Sequence, residues 1–394
     1  MHEIDFNQQP YLVVWECTRA CMLVCRHCRA ASQPRRHPRE LTTEEGRRFI
    51  EQVARAKPGI FIITGGDPAQ RPDFKELISC GAQQGLRVAF SPSATPKLLS
   101  HDFKELKDIG VARMSLSVDG ARAETHNAFR GVPKSWDWTM EAIARAQAAA
   151  LPLQINSTFT RRNIAELELY PPLLEKIKPA TWSVFLLVPT GRGRVEDLLT
   201  GQEMEELFER LYALSKQVPY PIKTTEGQHY RRVVLQHSAT ELPPHTVAAQ
   251  ASPPAHPHAA AGAGPSPRST GFQPVDRGKL PMPPTGAGPA PFSGSMGVND
   301  GKGFVFVSHT GEICPSGFLP YVAGNVRQDE LIEVYRHSPI FRELRDGSLL
   351  KGKCGRCEFK QICGGSRARA YAMTGDHLAE EPFCVYQPGG GKTG

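Results

Sequence analysis

Between Pro10 and Val188 the chain alternates short apolar runs with longer amphipathic stretches, a pattern that predicts repeated strand-then-helix units around a parallel sheet. The apolar runs place six strands over residues 12–15, 60–63, 87–90, 113–117, 153–158 and 182–188. Helical spacing fills the intervals, over 43–56, 74–84, 96–106, 136–149 and 164–177. The first helix opens on Thr42-Thr43-Glu44-Glu45, where a threonine with a carboxylate near it can cap free backbone amides. Such units make an α/β fold, a partial (β/α)6 TIM-like barrel. A closed barrel of about eight units would need more chain before the composition changes.

After a helix over 203–215 and a short extended piece at 222–225 the pattern breaks. Residues 238–296 are rich in Pro, Ala, Gly, Ser and His and poor in large apolar side chains. They cannot bury enough surface to offset the entropy of ordering, and a disordered insertion is expected. Its His245, His256 and His258 are metal-ligand candidates by residue type alone. Order is expected again from Gly297: Phe304-Val305-Phe306-Val307-Ser308, Thr310-Gly311 and Glu312-Ile313-Cys314 read as a β-hairpin turning at glycine. The chain thus divides into a barrel core over 1–217, a connecting segment over 218–237, the insertion over 238–296 and a small Cys-rich α+β domain over 297–394.

Composition bounds what this architecture can do. With 394 residues, 40% of them hydrophobic, core material is ample, yet runs such as Ile60 to Ile63 fall far short of a membrane span. Met1 to Pro10 lacks the basic start, apolar core and small-residue cleavage site of a secretory signal, so a cytoplasmic location is expected. The net charge of +7 is spread over Arg35, Arg36 and Arg39, Arg161 and Arg162, Arg192 and Arg194, and Arg231 and Arg232. Solvated surface charge is the plain reading, and an electropositive site for carboxylate-bearing ligands the sharper one. With no aromatic-and-basic platform, nucleic acid is not expected as a partner, and neither is a membrane.

Ten cysteines in a chain without an export signal point to metal rather than disulfides. Cys21-x3-Cys25-x2-Cys28 puts three thiols in one loop after the first strand. Three thiolates leave one iron of a [4Fe-4S] cluster open, whereas an electron-transfer cluster normally takes four. Zinc, with His27 as fourth ligand, is the alternative. Cys354-x2-Cys357-x5-Cys363-x20-Cys384 supplies four more thiols, enough for a second [4Fe-4S] cluster or, again, for zinc. Cys17 and Cys80 lack partners at ligand spacing and are expected to pack.

With Trp15-Glu16-Cys17-Thr18-Arg19-Ala20-Cys21 leading into it, the three-cysteine loop resembles that of the radical S-adenosylmethionine (SAM) superfamily, over about residues 11–188. The resemblance implies that the open iron chelates the amino and carboxylate groups of SAM, and that an electron from the cluster breaks a carbon–sulfur bond to give a 5′-deoxyadenosyl radical. Thr64-Gly65-Gly66-Asp67-Pro68 is similar to the family motif that holds the amino group, with Gly65 and Gly66 allowing close backbone approach to a ligand and Asp67 where glutamate is commoner. By the same resemblance Ser117 faces the ribose or carboxylate, Arg130 the carboxylate, Asn156 and Thr158 the ribose, and Val188 the adenine. Asp119, in Ser117-Val118-Asp119-Gly120, is a further cofactor-site candidate or a cap for the next turn, and core packing is the alternative for Val188.

The tail resembles the SPASM or shorter Twitch auxiliary domain of many such enzymes. The full form carries seven cysteines and two clusters; here there are five with Cys314, and Arg367 stands where another cysteine would fall. One auxiliary [4Fe-4S] cluster, on Cys354, Cys357, Cys363 and Cys384, is therefore implied, leaving Cys314 as a remnant, a buried small hydrophobe or an extra ligand. The spacing is similar to that of the radical enzymes of haem d1 and alternative haem synthesis. That implies a tetrapyrrole substrate, whose propionates Arg192, Arg194, Arg231 and Arg232 would suit, and a reductant such as ferredoxin or flavodoxin. Peptide or protein maturation is the competing activity, and a non-catalytic iron–sulfur carrier the competing class. Tyr230, Tyr321 and His309 flank the expected site and are candidates for an acid or radical-quenching group.

Overall fold

The computed structural model describes residues 4–241 and 297–389. Its strands are β1 (Leu12–Glu16), β2 (Ile60–Thr64), β3 (Val88–Phe90), β4 (Val111–Ser117), β5 (Leu153–Phe159), β6 (Thr181–Leu186), β7 (Ile222–Thr225), β8 (Phe304–Val307), β9 (Glu312–Cys314) and β10 (Gly324–Asn325). All ten form one sheet in the order β10-β9-β8-β1-β2-β3-β4-β5-β6-β7. Strands β1 to β7 run parallel, as a partial barrel requires, and β8 pairs parallel with β1 on its other side.

The helices over the outer face are α1 (Thr43–Ala56), α2 (Phe74–Gln83), α3 (Pro96–Leu99), α4 (Phe103–Asp108), α5 (Ala123–Arg130), α6 (Ser135–Ala148), α7 (Tyr170–Ile177), α8 (Gly201–Ser215) and α9 (Tyr230–Glu241). The tail adds α10 (Leu331–His337), α11 (Pro339–Arg345), α12 (Gly352–Arg356) and α13 (Arg367–Thr374). Helix α1 starts where the threonines sit: the Thr42 side chain accepts from the Glu45 amide and the Glu45 carboxylate accepts from the Thr42 amide.

Alternation along the strands separates two environments. Val13 and Trp15, Phe61 and Ile63, Leu116, Ile155, Trp182 and Val184 are buried in the core shared with the helices. The opposite face of β4 to β7 carries Arg113, Ser115, Ser117, Gln154, Asn156, Thr158, Ser183 and Thr225, a polar concave wall. Such a wall belongs to a ligand cavity rather than to a core.

The structure departs from the expected elements where local chemistry intervenes. The helix expected over 96–106 is two helices, because Asp102 caps a new start by accepting from the Lys104 amide. Residues 164–169 are a 3-10 turn, and α7 begins only at Tyr170, where Pro171 and Pro172 fall in the first turn and need no amide partners. Strand β6 ends at Leu186, so Val188 lies past its end. Helix α5 was not anticipated.

Residues 218–237, read as a connection, supply strand β7 and most of α9, and the tail hairpin β8-β9 joins the barrel sheet rather than a layer of its own. Helix α9 runs on to Glu241, into the first residues of the expected insertion. The rest of that insertion, with His245, His256 and His258, lies outside the described residues. Among the described residues no helix is long and apolar enough to cross a membrane.

Candidate functional site

The loop between β1 and α1 carries Cys21, Cys25 and Cys28 at the carboxyl ends of the strands, the edge where parallel-sheet proteins bind ligands. One bond within it and two neighbouring elements fasten it. Cys21 N donates to Gln33 O (2.9 Å) within the loop; Val24 N and Arg26 N donate to Arg130 O and Phe129 O at the end of α5. From the loop after β6, Arg192 donates to Cys25 O (2.8 Å), Ser32 O (2.9 Å) and Ser32 Oγ (3.1 Å).

Donors already point at the sulfurs. Leu23 N lies 3.3 Å from Cys21 Sγ, Ser32 N 3.4 Å from Cys28 Sγ and Arg130 Nη1 3.5 Å from Cys25 Sγ, with the Ser93 hydroxyl 3.5 Å from Cys21 Sγ. Burial pushes the Cys21 thiol up to about 11 and raises that of Cys25 against the pull of Arg130. The thiols of Cys21 and Cys25 therefore hold their protons at neutral pH, and iron binding must displace them. Buried thiols ringed by N–H donors fit an anionic iron–sulfur cluster. His27 packs on Phe129 and turns Nε2 toward Asp119, 3.7 Å away.

The Gly65-Gly66-Asp67 turn serves this loop differently from expectation. A Cβ on Gly65 would sit 2.6 Å from Thr18 O, and one on Gly66 2.6 Å from Arg19 O and 2.7 Å from Ala20 O. The close backbone approach is thus to the cysteine loop itself, locked by Gly66 N to Thr18 O (2.7 Å) and Asp67 N to Ala20 O (2.8 Å). The buried Asp67 carboxylate accepts from Ala69 N, Gln70, Ser93 N and Thr95. Its oxygens are engaged in joining the ends of β2 and β3, which makes it an organiser of the turn.

Asp119 and Arg130 form a buried pair, Nε to Oδ2 3.1 Å, and Asp119 also accepts from Thr158 N (2.8 Å). Burial raises the Asp119 carboxyl, but Arg130, His27 and the Thr158 amide together outweigh it and hold the group below its ordinary value. Asp119 is therefore the buried counter-ion of Arg130, not a turn cap. Ser117 and Asn156 are register partners across β4 and β5, half-buried on the concave wall, where Asn156 accepts from Gln154. Thr158 is nearly buried. Val188 packs among Leu319, Leu344 and Ala368, which assigns its side chain to the seam with the tail and not to an adenine pocket.

Glu16, which ends β1, was not singled out as a site residue although a carboxylate closing an apolar strand is itself a signal. It is fully buried, with Arg29 Nη2 at 2.5 Å and His309 Nδ1 at 3.2 Å. Burial raises its pKa, but Arg29, His309 and Arg19 together bring it down to about 2. His309 is thereby committed to Glu16. Tyr230 is in the core against Phe208, and Tyr321 packs at an angle against Tyr371 and edge-on against His377, outside the cysteine loop.

The four arginines expected to meet propionates are engaged elsewhere. Arg192 clamps the cysteine loop; Arg231 donates to Ile362 O and Val298 O; Arg232 pairs with Glu205; Arg194 is exposed, 3.4 Å from Glu196.

In the tail, Cys354 and Cys357 come from α12 and its end, Cys363 from the following turn and Cys384 from the last described stretch. Together they line one cavity with Phe359, Lys360 and Tyr386. Glu381 N lies 3.3 Å from Cys354 Sγ and Gly365 N 3.4 Å from Cys363 Sγ. Burial pushes Cys363 up to about 12 and Cys384 up to about 11. Among the described residues, no three metal-ligating side chains converge on a single ion site. Arg367, at the position of a missing cysteine, donates to Ala379 O (2.6 Å) and His377 O (3.1 Å). Cys314 is buried at the end of β9, opposite Phe306, and Cys17 is in the core.

A parallel barrel sheet with a three-thiol loop at its carboxyl edge and a Gly-Gly-Asp turn against that loop defines an enzyme of the radical SAM class. The model of the Radical SAM superfamily matches residues 15–168, and the chain belongs to that family. It is 37% identical over 387 residues to the AdoMet-dependent heme synthase of Methanosarcina barkeri (strain Fusaro / DSM 804), across 98% of this chain and 99% of that protein. It is also 37% identical to the enzyme of the same name from Nitratidesulfovibrio vulgaris, across 96% and 92% of the two chains. The crystal structure of Streptococcus suis SuiB bound to S-adenosylmethionine shares the fold, with a TM-score of 0.66 at 15% identity over 96% of this chain and 78% of that one. As a radical SAM enzyme the chain binds SAM and a [4Fe-4S] cluster and needs a reductant and a substrate.

Proposed function

We propose that this enzyme is an AdoMet-dependent haem synthase that alters propionate side chains of a tetrapyrrole. The observation carrying this reading is 37% identity to enzymes of that name, spread over 98% of the chain. Peptide maturation draws on weaker likeness, 28% identity to the mycofactocin maturase MftC of Mycobacterium tuberculosis and a fold shared with peptide-bound SuiB at 14% identity. In this reading Cys21, Cys25 and Cys28 hold the cluster that meets SAM, and Cys354, Cys357, Cys363 and Cys384 hold one auxiliary [4Fe-4S] cluster. When bound, the first supplies a hydrogen-abstracting radical with SAM and the second a one-electron relay.

The chain's own residues provide the setting. Leu23 N, Ser32 N and Arg130 offset thiolate charge at the first site. Arg130, fixed by Asp119 beside Cys25, provides the positive charge that a SAM carboxylate seeks. Ser117 and Asn156 on the concave wall present a hydroxyl and an amide to a ribose. The reductant is a small electron carrier such as ferredoxin or flavodoxin. All ten cysteines are free thiols, which suits the reducing cytoplasm.

Anaerobic reconstitution followed by incubation with SAM, reductant and an iron porphyrin bearing propionates tests the reading. We expect about eight irons per chain, 5′-deoxyadenosine formed on reduction, and a porphyrin lighter by CO2 and two hydrogens for each side chain altered, one hydrogen atom going to 5′-deoxyadenosine, the carboxyl proton to solvent and one electron to the auxiliary cluster. Formation of 5′-deoxyadenosine with no change in any porphyrin, while a precursor peptide is modified, would sink it.

A further inference from the structure

The barrel side of the auxiliary cavity carries two buried nitrogen donors that nothing among the described residues satisfies. His229 precedes α9 and Arg232 lies in its first turn, one helical turn apart, and both line the cavity formed by Cys354, Cys357, Cys363 and Cys384. His229 is 1% exposed and neither ring nitrogen has a hydrogen-bond partner. Arg232 is 4% exposed; its Nη atoms reach Glu205 and Gln236, and its Nε has no partner. Buried polar groups in native proteins are bonded with few exceptions, and an unpaired one costs stability. Two such donors facing one cavity call for an acceptor inside it.

We infer that His229 and the Nε of Arg232 donate hydrogen bonds to sulfurs of a cluster seated on the four tail cysteines, and so set its reduction potential. The inference rests on the auxiliary cluster proposed above. Four thiolates already complete the iron coordination, so the imidazole is not needed as a ligand. The imidazole carries an N–H to give in either protonation state. Hydrogen bonds to cluster sulfur stabilise the more negative, reduced state and raise the potential. Both donors come from the barrel side, whereas Glu381 N and Gly365 N approach from the tail. The potential of the second cluster therefore depends on how the tail sits on the barrel.

The test uses the full chain carrying Cys21→Ala, Cys25→Ala and Cys28→Ala, so that only the tail cluster remains, reconstituted anaerobically and titrated by redox potentiometry with EPR detection. His229→Phe keeps a flat ring without an N–H. Arg232→Lys keeps the charge that faces Glu205 but removes Nε. Each is expected to retain iron at the parent level and shift the midpoint to more negative potential, with His229→Gln, still a donor, falling between His229→Phe and the parent. Unchanged midpoints with intact clusters overturn the inference. So does a strongly coupled nitrogen in the pulsed-EPR spectrum that vanishes in His229→Phe, since it marks ligation instead. If His229→Phe fails to hold its cluster, Arg232→Lys and His229→Gln still decide the matter. A parent chain that takes up no iron in the tail overturns the auxiliary-cluster reading itself.

Discussion

At the scale of single residues, Glu16 shows how a charge is tolerated at the end of a core strand. Its carboxylate is fully buried, yet Arg29, Arg19 and His309 converge on it and its pKa falls to about 2 from an ordinary 4.5. A carboxyl whose folded pKa is depressed adds stability above its unfolded pKa and loses it as pH falls through the folded value. The window is therefore pH 4.5 down to 2, and the contribution above it is about 3 kcal/mol. Urea denaturation of the metal-free protein should show stability falling through that window, and Glu16→Gln should flatten the dependence there while lowering stability at neutral pH. An identical pH slope in the variant would refute the assignment. Arg19 and Arg29 follow Glu16 in the same loop but His309 lies 293 residues on, so only the position of Glu16, closing an apolar run before the cysteines, hinted at this role.

At the scale of elements, the three-cysteine loop is shaped less by its own residues than by the loops after β2 and β6 and by α5. Glycine at 65 and 66 is required because backbone carbonyls of residues 18–20 occupy the space a Cβ would take. The motif was legible; its contact with the loop was not, because contact distance is a property of two segments. Arg192 was read as a substrate cation, yet its planar fork spans Cys25 O and Ser32 O. Removing it with Arg192→Ala should cost roughly 2–4 kcal/mol and release the first cluster, lowering iron from about eight to about four per chain. Arg192→Lys should recover only part, since one ammonium cannot copy the fork. Iron analysis and the rate of 5′-deoxyadenosine formation check both variants.

At the scale of the whole molecule, the tail is built into the barrel. Strand β8 extends the sheet beyond β1 and brings His309 to Glu16. On the other side Arg369 donates to Leu187 O and Glu226 O while paired with Glu381, all of them buried. Glu226 itself adopts a left-handed backbone, φ 56°, with its carboxyl hydrogen-bonded by Ser366 and facing Asp300; burial and that second carboxyl raise its pKa. Arg369→Met should leave Glu381 as an unpaired buried charge and cost about 3–5 kcal/mol. Limited proteolysis should then cut the 297–389 region first, and Arg369→Met with Glu381→Gln should recover part of the melting temperature. Equal protease resistance in Arg369→Met would show that this seam does not hold the tail.

By itself the sequence determined the period of strand and helix, the two cysteine sets and the class of chemistry, since these depend on spacing within a segment. Tyr11 to Leu186 could be read because apolar periodicity is local and the thiols of each loop are neighbours in sequence. Only the tertiary structure decided that β8 joins the barrel sheet, that Asp67 and Arg192 brace the loop, that Val188 packs at the seam and that His229 faces the tail cysteines. Each depends on which distant segments share a surface, and burial then dictates which polar groups must find partners.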